Sequence, residues 1–335
     1  MKKRKVFFMI RKFWMTAMSL LVLVMMVCSC SSAKEIKSTD AESAVVGACG
    51  EHEVRYEQLR YHTMSAKVEL MSKYGEDIFL TEASAAAYED MLLEMVEDRI
   101  SDDYAKIDVF EASEVSVSDK ETKKQLKDYM EAAVEDIGGM ELYTAHLAET
   151  YQTDWMFRRN ASMLICQYRY YDVLAEQLDE AAYDAVMNQD GFIRCMSIFV
   201  QNDPGESVAK NRRMAEEVQE AVSRGASVED YIGTKYNQDT SSCDYYFMRG
   251  YFVEEYEDAA FALEVGEVSP VVEVDDGFFV IQRMPVEEGY FEANLDSLKT
   301  MYFLCTMEQR LNERAAALSV AWNDYGKTIE LWSMQ

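Results

Sequence analysis

Residues Phe247 to Val271 read FMRGYFVEEYEDAAFALEVGEVSPV, and this stretch decides how the rest of the chain is parsed. Glu254 to Leu263 carries acidic residues at its start and apolar ones through its body, which predicts a short helix stopped at Gly266. Beyond it, Val271 to Val274 and Phe278 to Met284 alternate as strands. Asp275-Asp276-Gly277 between them is a hairpin turn signal. Upstream, a polar loop (Asn237 to Asp244) leads into Tyr245-Tyr246-Phe247. Ser227 and Asp230 cap a short helix, and Glu206 to Arg224 forms a longer one with Val208, Ala215, Val218 and Val222 on one face. Ile193 to Val200 (IRCMSIFV) is a strand by its β-branched and apolar content. The predicted order, β-α-α-β-α-β-β in about 100 residues, suits a single domain with a four-stranded antiparallel sheet.

The flanks have a different character. All three prolines (Pro204, Pro270 and Pro285) lie in the central stretch, and the segments on either side have none. Helical periodicity appears from Tyr56 to about Tyr74, from Ala85 to about Ile107, from Met140 to Glu149 and from Thr153 to Leu178. Ser118 with Glu121 reads as a capping box before another helix, which Gly138-Gly139 stops. These elements predict an all-α first half. Phe291 to about Tyr325 reads as one long amphipathic helix, which cannot bury its own stripe and finds its natural partner in the N-terminal helices. The expected fold is therefore α+β, with a helical domain built from both chain ends (44–188 and 287–335) and a domain inserted at 189–286.

Of 335 residues, 61 are acidic and 33 basic. The first 29 hold six of the positive charges and no negative one, so the remaining body nears −34. A body that acidic repels phosphate backbones, which argues against nucleic-acid partners. The basic head Lys2 to Lys12, the apolar run from Trp14 and the small residues before Cys30 are the parts of a secretory signal. The apolar run is shorter than the roughly 20 residues of a permanent span. Val27-Cys28-Ser29-Cys30 resembles a bacterial lipobox with Cys30 as the lipidated residue, so 1–29 is expected to be the signal and 30–43 a polar tether. An uncleaved anchor is the alternative, and both readings place the body on the extracytoplasmic side of the cell membrane. Five thiols remain after Cys30, an odd count at spacings that suit neither a zinc ribbon nor a disulfide framework. His52, His62 and His146 are too scattered to ligate a metal, and P-loop, GxGxxG, HExxH and GxSxG motifs are all missing. Neither a metal nor a cofactor is expected.

Phe247-Met248-Arg249-Gly250, Tyr256 to Leu263 and Val265 to Val271, in that order, resemble the C-terminal half of a parvulin-type peptidyl-prolyl isomerase. The strand-helix block ending in Tyr236-Asn237-Gln238-Asp239 is similar to that family's first half. More weakly, Val54 to Glu57 and the run through Ala145 to Ala148 resemble the arms of exported foldases of the PrsA/SurA type. The resemblance implies a membrane-tethered foldase acting on Xaa-Pro bonds of unfolded or partly folded exported proteins. Such a bond rotates over a barrier of roughly 20 kcal/mol. A dry apolar slot lowers that barrier by removing the water that stabilises the resonance form of the amide. By resemblance, Phe252, Tyr256, Phe261 and Phe279 line the slot, and Asp239 stands beside the twisting carbonyl with Ser197. Ser197 and Phe279 occupy the positions where the family carries histidines. Ser197 can serve as a donor there and Phe279 cannot. Three readings stay open: a working isomerase, a peptide-binding chaperone with a degenerate parvulin domain, and a fold that only spaces the helices.

Overall fold

A computed structural model describes residues 34–202, 207–237 and 243–335. The signal stretch, Cys30 and Asp239 lie outside the described residues. In chain order the structure has β1 (Val45–Cys49) and β2 (His52–Arg55), then α1 (Tyr56–Tyr74), α2 (Glu82–Ala85), α3 (Glu89–Glu111), α4 (Lys120–Ile137), α5 (Met140–Glu149), α6 (Asp154–Gln177) and α7 (Asp179–Met187). The central elements are β3 (Ile193–Gln201), α8 (Val208–Ser223), β4 (Asp244–Phe247), α9 (Glu254–Ala262), β5 (Val272–Val274) and β6 (Gly277–Met284). Then come α10 (Tyr290–Ala293), α11 (Leu295–Ala316), β7 (Val320–Trp322) and two 3-10 turns, Gly326–Thr328 and Leu331–Ser333. It forms two compact units, one of residues 174–308 and one of the described residues before 174 with 309–335. No helix among the described residues is long and apolar enough to cross a membrane.

In the unit of residues 174–308, four strands pair antiparallel throughout in the order β4-β3-β6-β5, the expected sheet. Alternation sends Met196, Ile198, Val200, Phe278 and Val280 to one face, where Ala215, Val218 and Val222 of α8 cover them. Gly277 opens β6 at φ 158°, and a Cβ there would sit 2.3 Å from the Val200 carbonyl oxygen, so only glycine fits the close approach to β3.

The other unit is mainly helical, but it is not all-α. β1 forms a hairpin with β2 and pairs on its other edge with β7, giving a three-stranded antiparallel sheet. The C-terminal helix correspondingly stops at Ala316 instead of near Tyr325, because Val320 to Trp322 are drawn onto β1. Gly47 permits this, since a Cβ would lie 2.8 Å from the Ala321 carbonyl oxygen and 3.1 Å from the Trp322 ring. The cap of α4 also differs from expectation. Asp119, not Ser118, accepts the Thr122 amide at 2.8 Å. The core gathers Leu59, Leu70, Leu92, Val96 and Ile100 beneath β1, with Trp322 and Trp332 packed against it. Residues of the expected tether already hold to this unit: the Ile36 amide donates to Asp154 at 3.2 Å, and Ser38 Oγ to Glu57 at 2.6 Å. All five described cysteines are buried and unpaired.

Candidate functional site

The second face of the four-stranded sheet is aromatic. β3 turns Cys195, Ser197 and Phe199 to it, β6 adds Phe279 and Ile281, and β4 adds Tyr245 and Phe247. α9 lies on this face and inserts Tyr256 and Ala260 into the layer. Tyr256 is the hub, 0% exposed, with its ring centroid 4.5 Å from Phe252, 4.9 Å from Phe279 and 5.7 Å from Phe247. Phe247 meets Phe252 at 4.8 Å and Phe261 at 5.8 Å, both edge-to-face. Phe199 stacks on Phe279 at 4.4 Å. Edge-to-face and offset contacts of this kind suit the ring quadrupoles.

A hydroxyl pair sits inside the layer. The Tyr256 hydroxyl donates to Ser197 Oγ at 3.2 Å. Burial pushes the Tyr256 phenol well above its ordinary value, so it remains a protonated donor across the physiological range. Burial also pushes the neighbouring Cys195 thiol up to about 12, which leaves it an apolar filler rather than a nucleophile. Ser197 is fixed from its backbone as well, its amide donating to the Cys243 carbonyl at 2.9 Å.

The loop that delivers Phe252 is held by a buried carboxylate. Glu257, in the first turn of α9, accepts the amides of Gly250 at 2.9 Å and of Tyr251 and Phe252 at 2.8 Å each. The charge also sits at the favourable end of the helix dipole. Outside it, the Arg249 guanidinium lies 4.6 Å from the Phe261 ring centroid and pairs with Asp258 at 2.9 Å.

The expected slot residues therefore divide. Ser197, Phe252, Tyr256 and Phe279 come together directly, while Phe261 joins through Phe247. Tyr256 and Phe279 are buried, whereas Phe252 and Phe261 are only half-buried and Phe199, Tyr245 and Tyr251 join them at that level. Phe199, Tyr245, Tyr251, Phe247 and Glu257 are missing from the residues picked by resemblance. Strand alternation from Ser197 points to Phe199, and alternation from Phe247 points to Tyr245. Glu257 carries no sequence signal beyond its place in the first turn of a helix. In chemical terms the arrangement offers a rigid aromatic surface over one hydroxyl pair, with no activated nucleophile among the described residues.

No family model matches the chain. The foldase protein PrsA of Bacillus subtilis is 30% identical to it over 111 residues, 32% of this chain and 36% of that protein. The foldase protein PrsA of a Geobacillus species is 34% identical over 88 residues, 24% of this chain and 31% of that protein. The chain thus spans about a third of the length of the curated relatives it matches, and over that part it is PrsA-like. The crystal structure of the Bacillus subtilis PrsA aligns over 82% of this chain and 91% of its own at 20% identity, with a TM-score of 0.27. A score at that level leaves the fold to be argued from the sheet order and register above.

Proposed function

We propose that the chain is an extracytoplasmic foldase, tethered to the membrane through a lipid on Cys30, that binds Xaa-Pro segments of exported proteins and speeds their cis-trans isomerisation. The observation that carries this reading is the aromatic face of the four-stranded sheet, with its hydroxyl pair buried under half-exposed rings. In this reading Phe252, Phe261 and Phe199 contact the proline ring, and Tyr256 with Phe279 forms the floor. Ser197 and Asp239 orient the twisting amide. Desolvation against those rings disfavours the polar resonance form of the amide, so the surface needs no nucleophile. The PrsA relatives support the foldase reading over the part they share with the chain.

A second reading, chaperone binding without catalysis, is favoured by Ser197 and Phe279 standing where the resembled family has histidines, and by the Ser197 hydroxyl already accepting from Tyr256. A protease-coupled assay on an Ala-Pro test peptide, run with the full chain, separates the two. Isomerisation above the spontaneous rate, reduced at least severalfold in Phe252→Ala, is expected. A rate equal to the spontaneous one, together with suppressed aggregation of a guanidinium-unfolded test protein, leaves the chaperone reading alone. Cys30→Ala is expected to release the protein from the membrane fraction, and retention there removes the lipid anchor.

A further inference from the structure

The mainly helical unit has a cavity of about 270 Å³ that the sheet site does not involve. Its walls are Met64, Met71, Phe79 and Leu80, and one edge is the chain's own Met334. Leu80 stands 71% exposed on the rim, whereas Met334 is buried. The segment bearing Met334 is gripped through its main chain. Buried Lys67 on α1 donates from Nζ to the carbonyls of Trp332 at 2.8 Å and Met334 at 2.7 Å. Two turns earlier on the same helix, Arg60 Nε donates to the Gln335 main-chain oxygen at 2.9 Å.

Two main-chain carbonyls held by one buried ammonium is recognition without sequence information, because every peptide segment presents the same groups. The side-chain component is undemanding too: methionine walls adapt to many apolar shapes. We propose that this is a binding site for a short apolar segment of an unfolded polypeptide, occupied by Leu331–Gln335, which begins as a single 3-10 turn, as a tethered stand-in that a client segment displaces. The proposal takes from the foldase reading only the source of the client; its geometry lies wholly within the mainly helical unit. The buried ammonium of Lys67 specifies the class of ligand. Once Trp332 and Met334 leave, that charge needs new acceptors, and a peptide supplies carbonyls where a hydrocarbon chain does not. Glu76 on the cavity wall disfavours an anionic headgroup.

A tethered competitor acts at an effective concentration in the millimolar range, so free peptide meets a mostly occupied site. Removing the anchor raises apparent affinity in proportion to the fraction of sites it frees. The test uses the full chain and a fluorescein-labelled peptide of the segment's own sequence, Glu-Leu-Trp-Ser-Met-Gln, followed by anisotropy. Met334→Ser is expected to tighten binding by about tenfold if nine sites in ten are filled by the segment. Leu80→Glu changes only an exposed rim residue, so it is expected to weaken binding with the melting temperature unchanged, and it keeps the test decisive should Met334→Ser unfold. Isomerase activity in both variants is expected to match the parent, so failure of one reading is distinguishable from failure of the other. Unchanged binding in Leu80→Glu overturns the proposal. So does a folded Met334→Ser that binds no better, or laurate competing as well as unlabelled peptide.

Discussion

The layer under α9 and the seam between α1 and α3 are both largely buried, yet they are built from opposite materials. Under α9 the layer is aromatic, and the contact at its centre joins two neutral hydroxyls. Between α1 and α3 the interior holds charge: Asp103 accepts from Arg159 Nη1 at 2.5 Å and Gln58 Nε2 at 3.2 Å, with His62 Nε2 at 3.0 Å. Arg159 in turn lies against the rings of Tyr104 and Trp155. The ring contacts are neutral and present an apolar surface, while the buried Glu257 carboxylate holds the adjoining loop from the edge. A charged seam fixes helix register but ties the fold to its ionisation state. The two regions should therefore fail under different insults.

The largest effect should come from opening the aromatic layer. Phe247 is fully buried and touches Phe252, Tyr256 and Phe261, so Phe247→Ala removes one whole side of the hub. The expected loss is about 3–5 kcal/mol. Tryptophan makes it attributable, because Trp155, Trp322 and Trp332 all belong to the mainly helical unit and residues 174–308 contain none. In urea, the far-UV transition of the sheet unit should move to lower denaturant while tryptophan fluorescence stays where it was. Equal movement of both signals would contradict the idea that the layer stabilises only its own unit.

The charged seam should answer to acid instead. Burial works against the ionised form of Asp103, but Arg159 and His62 outweigh it and hold the carboxyl well below the usual carboxylate range. A depressed folded value means the stabilisation is fully present above the unfolded value near 3.9 and is lost as pH falls below it. Between about pH 4 and pH 2, tryptophan emission should report loosening of the mainly helical unit. Asp103→Asn should remove much of that acid dependence and cost about 3 kcal/mol at neutral pH, since Arg159 keeps its charge without a countercharge. An acid transition unchanged in the variant would mean that another carboxylate sets it.

Legibility in the sequence also divides between the two regions. β3, the Asp275-Asp276-Gly277 hairpin and α9 are readable because each is local: alternation, a turn and a short helix all fit within a window of a dozen residues. The β2-β1-β7 sheet is not, because β7 has three residues and its partner β1 lies about 270 positions away. The site follows the same rule. Ser197, Tyr256 and Phe279 could be picked by resemblance in chain order. That Phe199 stacks on Phe279 depends on the pairing register of β3 with β6, and that Glu257 holds three amides depends on how the loop folds back on its helix.

The smallest effect tests the hydroxyl pair. Ser197→Ala leaves the Tyr256 hydroxyl buried with its acceptor gone, at a cost of about 1–3 kcal/mol. Tyr256→Phe removes the donor instead and leaves a small Ser197 hydroxyl that can rotate, so the expected cost is nearer 1 kcal/mol. Once the serine hydroxyl is gone, deleting the tyrosine hydroxyl abolishes an unsatisfied group rather than a bond. The double variant should therefore be less damaged than the sum of the two singles, and close to Tyr256→Phe alone. Strict additivity would mean that the two hydroxyls do not depend on one another, leaving their contact incidental to an aromatic layer.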